Sequence, residues 1–197
     1  MKKFIYCIFT LAMFSLLQSC MVSAATTSAQ VVYDRKHIDD SLEDNHISFT
    51  ADEELFLKRK QFSDSHLSIA TFHRVVLMTG QVSSERLQKE AENIVRSIPD
   101  VKTIYNMTRV GESTSGFTQA QDVWITTKIK TQMIASNDFY PGQVKVVTED
   151  GVVYLMGILP PDQAEIAVDI ARQTSGVTSV VKIFKYLVVR QKTGDDS

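Results

Sequence analysis

Cysteine is nearly absent from this chain: Cys7 and Cys20 are the only two in 197 residues, and both lie near the N-terminus. That scarcity excludes a disulfide framework, a cysteine-ligated zinc cluster and a cysteine nucleophile from the folded part. Eight glycines and four prolines exclude fibrous and low-complexity classes. Charge of one sign is also missing. Against 23 acids stand 21 bases, for a net charge of -2, with no basic tract of the kind a general nucleic-acid binder needs. The four histidines, His37, His46, His66 and His73, have no metal-ligand spacing. They read as surface residues. There is no Gly-x-Ser-x-Gly elbow and no glycine loop to cradle a phosphate. The run Asp52-Glu53-Glu54, followed by Lys58-Arg59-Lys60, reads as a solvated helix rather than a metal site. The expectation is a protein without catalytic residues, metal or cofactor. What remains is 44% hydrophobic and 22% charged, the balance of a folded protein with one ordinary domain or two small ones.

The one long apolar run is Phe4 to Leu17, which follows Lys2 and Lys3 and is too short for a comfortable membrane span. It reads as a targeting segment with two processing readings. Val22-Ser23-Ala24 offers small residues to an ordinary signal peptidase. Leu17-Gln18-Ser19-Cys20 resembles a bacterial lipobox, which makes residues 1–19 the signal peptide and Cys20 the lipid-attachment residue. Each buried CH₂ of an acyl chain such as palmitate contributes about 0.8 kcal/mol, so several chains anchor firmly where one does not. Met21 follows in place of the aspartate that marks inner-membrane retention, which points by analogy to the outer membrane. Residues 20–33, rich in Ala, Ser and Thr, read as a tether.

The rest of the chain repeats. Ser65 to Gly80 and Gly142 to Gly157 each show alternating apolar residues, a turn, and a more continuous apolar run that ends at glycine. That is a β-hairpin pattern. Glu149-Asp150-Gly151 has strong turn chemistry; Phe72-His73-Arg74 is weaker, with Arg74 where a turn glycine usually stands. A helix signal follows each hairpin. Ser83 or Ser84 caps Glu85 to Ile98, and Pro160-Pro161 opens the second copy. Each copy then ends in a strand, Lys102 to Val110 and Thr178 to Val189. Upstream of each hairpin lies another helix, near Ile38 to Ala51 and Val123 to Ser136. The polar stretch 111–121 joins the two units as a linker. The fold class is α+β, with each unit ordered αββαβ as a three-stranded sheet and two helices.

This repeat, with Gly80 and Gly157 closing the second strands, resembles the BON domain (bacterial OsmY and nodulation). The likeness is strongest in the second copy, at Asp122 to Lys128, Val144-Lys145-Val146, Val153 to Gly157, Asp169-Ile170-Ala171 and Ser175-Gly176-Val177. It implies BON domains at 34–110 and 122–189, with a C-terminal tail at 190–197. It further implies a non-catalytic outer-membrane lipoprotein facing the periplasm. Such a protein supports envelope integrity, gathers at division sites and binds anionic phospholipid through the first helix of the second domain.

That helix has the residues for the task. With Asp122 as N-cap, Ile125, Ile129 and Met133 form the core stripe. The remaining face carries Val123, Trp124, Thr127, Lys128, Lys130, Thr131 and Ile134, and no acid occurs from Val123 to Asn137. These seven residues are the expected phospholipid-binding site. The matching helix of the first copy carries Asp39, Asp40, Glu43 and Asp44, with Leu42 aligned to Trp124, so an anionic surface would repel it. Trp124 packed against the first domain, or against a loop such as Phe139-Tyr140, is the structural alternative. Two further functional readings stay open: a protein-interaction module for outer-membrane assembly machinery, and a soluble periplasmic stress protein.

Overall fold

The computed structural model describes residues 28–136 and 139–187. The signal segment, Cys20 and the tail at 190–197 lie outside the described residues. In chain order the elements are α1 (Ser28–Leu57), β1 (His66–Phe72), β2 (Val75–Val82), α2 (Glu85–Arg96), β3 (Thr103–Asn106), β4 (Arg109–Val110), α3 (Gly116–Ala135), β5 (Val144–Glu149), β6 (Val152–Leu159), α4 (Pro161–Gln173) and β7 (Ser179–Tyr186). Two units of αββαβ are present, and both repeats fall within one compact unit, Asp39–Ser197.

Each hairpin pairs antiparallel, and the strand after the crossover helix returns parallel to the second hairpin strand, giving the orders β1-β2-β3 and β5-β6-β7. In the first sheet the last strand is broken. β3 and β4 both pair with β2 in one register, interrupted at Met107 and Thr108. The Asn106 side-chain oxygen accepts from the Thr108 amide at 3.2 Å, and Gln88 Nε2 donates to the Thr108 carbonyl at 2.6 Å. Side chains thus take bonds that a ladder would otherwise make. The expected single strand from Lys102 to Val110 is therefore two short ones.

The hairpin turns are alike despite their different sequences. Asp150 and Gly151 have φ of 52° and 71°; His73 and Arg74 have φ of 50° and 63°. Both are two-residue turns of the mirror-image kind that the twist of a hairpin favours. For non-glycine residues this left-handed region costs about 1–2 kcal/mol each. A carboxylate from the preceding helix offsets that cost. Asp44 accepts from the His73 and Arg74 amides, both at 2.7 Å, and Asp122 accepts from Asp150 and Gly151 at 2.7 and 2.9 Å. The Arg74 guanidinium is further held by Glu43.

This shared clasp corrects three expectations. Asp122 is not a helix cap; it is buried in the middle of α3, whose N-cap is Ser115. The first turn is as tight as the second, because Asp44 does the work that glycine chemistry does elsewhere. The clasp also sets the repeat register. Asp44 matches Asp122, and the Ser48–Thr71 hydroxyl pair at 2.9 Å matches Thr126–Thr148 at 2.7 Å. His46, not Leu42, is therefore the counterpart of Trp124. Two histidines also depart from the surface reading, since His66 and His73 are half-buried.

Gly80 has φ +107°, and a Cβ there would lie 1.9 Å from the His66 carbonyl oxygen; at Gly157 it would lie 2.8 Å from that of Gln143. Only glycine allows the first hairpin strand so close. α1 begins at Ser28, so part of the expected tether at 20–33 is helical, and α3 begins at Gly116, inside the expected linker.

Three apolar clusters hold these elements. Ile47, Ala51, Val76, Met78, Leu87, Ala91 and Val95 pack α1 and α2 on one face of the first sheet. Ile125, Ile129, Met133, Val153, Leu155 and Ala167 do the same for α3 and α4 on the second. The third cluster, Ala70, Leu77, Tyr154, Met156 and Ile183, joins the opposite faces of the two sheets. The result is four layers, helices–sheet–sheet–helices, with α1 and α3 on opposite outsides.

Candidate membrane-binding face

The Ser115 hydroxyl accepts from the Thr118 amide at 3.2 Å and starts α3. The helix runs for 20 residues, about 30 Å at 1.5 Å per residue. Its inner ridge, Asp122, Ile125, Ile129 and Met133, is buried. The outer ridge lies on the far side, and Trp124 stands on it 52% exposed. Val123 and Ile134 are also exposed there. The indole is not part of the buried core.

The seven expected residues divide into two lines. Trp124, Lys128 and Thr131 form the crest, with the Lys128 ammonium 4.8 Å from the Trp124 ring centre. Such a cation over an indole face gains about 0.5–1 kcal/mol at an exposed site. Val123, Thr127 and Lys130 flank the crest and form one wall of a groove of about 550 Å³. His66, Leu67 and Glu149 line its other side. Ile134 lies beyond, on the last turn.

The threonines contribute less polarity than their type suggests. Thr127 Oγ1 donates to the Val123 carbonyl at 2.8 Å, and Thr131 Oγ1 donates to the Thr127 carbonyl at 2.9 Å. Their hydroxyls are satisfied by the helix itself. One exposed aromatic residue of this face escaped the sequence reading. Phe117, 81% exposed, lies on the crest two turns before Trp124. Gly116 and the polar residues around Phe117 gave no helical pattern, so only the Ser115 cap could have revealed it.

The electrostatics around this face are set by burial. Lys145 is pulled below the usual lysine range chiefly by burial, with Asp44 opposing the shift and Lys130 adding to it. Its ammonium donates to the Thr71 carbonyl at 2.9 Å and so bridges the two repeats. Burial likewise pushes the Glu149 carboxyl up, against the hydrogen bond from Gln81 at 3.0 Å and the nearby His66. Among the described residues, no helix is long and apolar enough to cross a membrane. No group of three or more His, Cys, Asp or Glu among them forms a metal site.

The corresponding face of α1 has a different character. At the positions of Trp124, Thr127, Lys130, Thr131 and Ile134 stand His46, Phe49, Asp52, Glu53 and Phe56. All five are exposed.

Comparison with known proteins matches the two repeats to one family. The sequence profile of the BON domain covers residues 40–112 and 121–188. The chain is 31% identical over 150 residues to the 21 kDa hemolysin of Actinobacillus pleuropneumoniae, covering 76% of this chain and 75% of that protein. It is 28% identical over 174 residues to the outer membrane lipoprotein DolP of Haemophilus influenzae, covering 87% and 90%. It is 31% identical over 117 residues to the osmotically-inducible protein Y of Escherichia coli, covering 58% of each chain.

Proposed function

The chain belongs to the BON-domain family, and from that premise we propose that it is a non-catalytic outer-membrane lipoprotein that docks on anionic phospholipid through α3. In this reading Cys20 carries the acyl chains, the folded repeats face the periplasm, and the protein supports envelope integrity, with division sites as a place of action. The similarity to the Haemophilus lipoprotein along most of both chains supports the location.

The observation that carries the lipid reading is the exposed Trp124 beneath Lys128 on a helix face free of acid. An indole favours the headgroup region because its ring is apolar and its N–H is polar. Each lysine near an anionic leaflet adds about 1 kcal/mol, reduced by salt. With Phe117, Val123 and Ile134 adding apolar contact, the sum is a few kcal/mol, and about 4 kcal/mol corresponds only to millimolar affinity. An acylated Cys20 makes that sufficient, since a short tether holds the domain at about millimolar effective concentration. The helix lies on the bilayer rather than across it.

The test is vesicle flotation with the chain from Met21 onward, which keeps every described residue. At low salt it is retained on phosphatidylglycerol vesicles and not on phosphatidylcholine, and Trp124→Glu abolishes retention. Unchanged retention of that variant overturns the docking mode. The intact mass of the mature chain decides separately whether Cys20 carries lipid.

A further inference from the structure

Between Ser41 and Leu57 the chain carries Glu43, Asp44, Asp52, Glu53 and Glu54 and no lysine or arginine. Leu42, Phe49 and Phe56 recur every seven residues on that helix and are all exposed, Phe49 to 69%. Seven residues are close to two helical turns, so the three side chains form one stripe. It lies opposite Ile47 and Ala51, which face the core. Glu53 stands on the stripe and Asp52 beside it, and neither forms an ion pair among the described residues.

An anionic leaflet repels this stripe, and so does a second copy of it, since like charges face each other across such a contact. A fitting surface must be apolar and cationic. The molecule carries one, on the repeat-related helix: α3 presents Phe117, Trp124 and Ile134 with Lys128 and Lys130, and neither lysine is ion-paired among the described residues. Asp52 and Lys130 occupy the same position in the two repeats, so the two faces carry opposite charge there.

We infer that the α1 stripe of one chain docks on the α3 face of a second copy. Because α1 and α3 lie on opposite outsides of the four layers, one chain cannot close the contact on itself. A contact between unlike faces is heterologous, and it propagates as an open row unless its rotation closes a ring. One helix-on-helix contact falls below the roughly 1,200 Å² of stable complexes, so association is weak in dilute solution and grows where chains are crowded. Lipid and the neighbouring chain compete for α3, so anionic vesicles disperse the row. Only this competition rests on the proposed lipid docking; the self-contact stands without it.

Sedimentation velocity on the chain from Met21 tests the contact without lipid. The expected result is a sedimentation coefficient that climbs with concentration at low salt and falls to the monomer value at high salt. Two double variants read the faces. Lys128→Glu with Lys130→Glu makes both faces acidic, and Asp52→Lys with Glu53→Lys makes both basic. Each alone is monomeric, and an equal mixture associates again, because each now supplies what the other lacks. Circular dichroism confirms that both fold. The inference is overturned if the parent chain stays monomeric at every concentration, if it stops at a dimer, or if the mixture fails to associate. Flotation of dilute chain on phosphatidylglycerol vesicles reads the lipid reading independently.

Discussion

Asp122 shows how much one side chain settles. Its two oxygens take the amides of Asp150 and Gly151, and Asp44 repeats the arrangement with His73 and Arg74. Removing the acceptor leaves partly buried donors unpaired, at about 1–3 kcal/mol each. Asp122→Ala is therefore expected to lower the urea midpoint by the larger amount and Asp122→Asn, which keeps one oxygen, by roughly half. An unchanged midpoint in the alanine variant would show the clasp to be idle. In the sequence Asp122 looks like a helix cap, because a short acid before an apolar run is the cap signal. The distant turn it serves is nearly thirty residues away, and no local pattern points there. The same blindness hid Arg74, whose left-handed backbone depends on Asp44 and not on its own residue type.

At the scale of the element, α3 divides cleanly into what a pattern reveals and what it conceals. The spacing of Ile125, Ile129 and Met133 identified its core ridge, and all three are fully buried. The first two turns were hidden by Gly116 and by the absence of any apolar rhythm before Val123. Those turns bring Phe117 onto the crest with Trp124. If the crest meets lipid, Phe117→Ser loses the burial of one aromatic ring, about 1.5 kcal/mol or roughly tenfold in vesicle retention. Its melting temperature stays at the parent value, since the ring touches no core. A variant that binds vesicles as well as the parent would confine contact to the C-terminal half of the helix.

Across the whole molecule, the two sheets meet through Leu77, Tyr154, Met156 and Ile183, with polar contacts at the margin. Glu149 is the most exacting of these, 6% exposed with Gln81 as donor and His66 Nε2 at 3.9 Å. Burial raises its folded pKa above the ordinary glutamate value. Its favourable contribution is therefore full below the unfolded pKa and is lost as pH rises through the raised folded one. Glu149→Gln keeps an oxygen for Gln81 and carries no charge. Its melting temperature is expected to equal that of the parent at acid pH and to exceed it once pH passes the raised value. A variant less stable than the parent at neutral pH would show that the charge holds the sheets together.

Residue order alone specifies the two αββαβ repeats, their buried stripes, the two closing glycines and the family likeness, because hydrophobic periodicity and turn chemistry act over a few residues. It also determined that the face of α3 is cationic and that of α1 acidic, because charge is written directly in residue type. Tertiary structure alone decided where those faces point. Packing sheet against sheet is a choice made by side chains more than seventy residues apart, and it sends α1 and α3 to opposite sides. It also decided that Trp124 stays in contact with solvent, since the second domain covers its sheet with the first domain and leaves the crest of α3 bare.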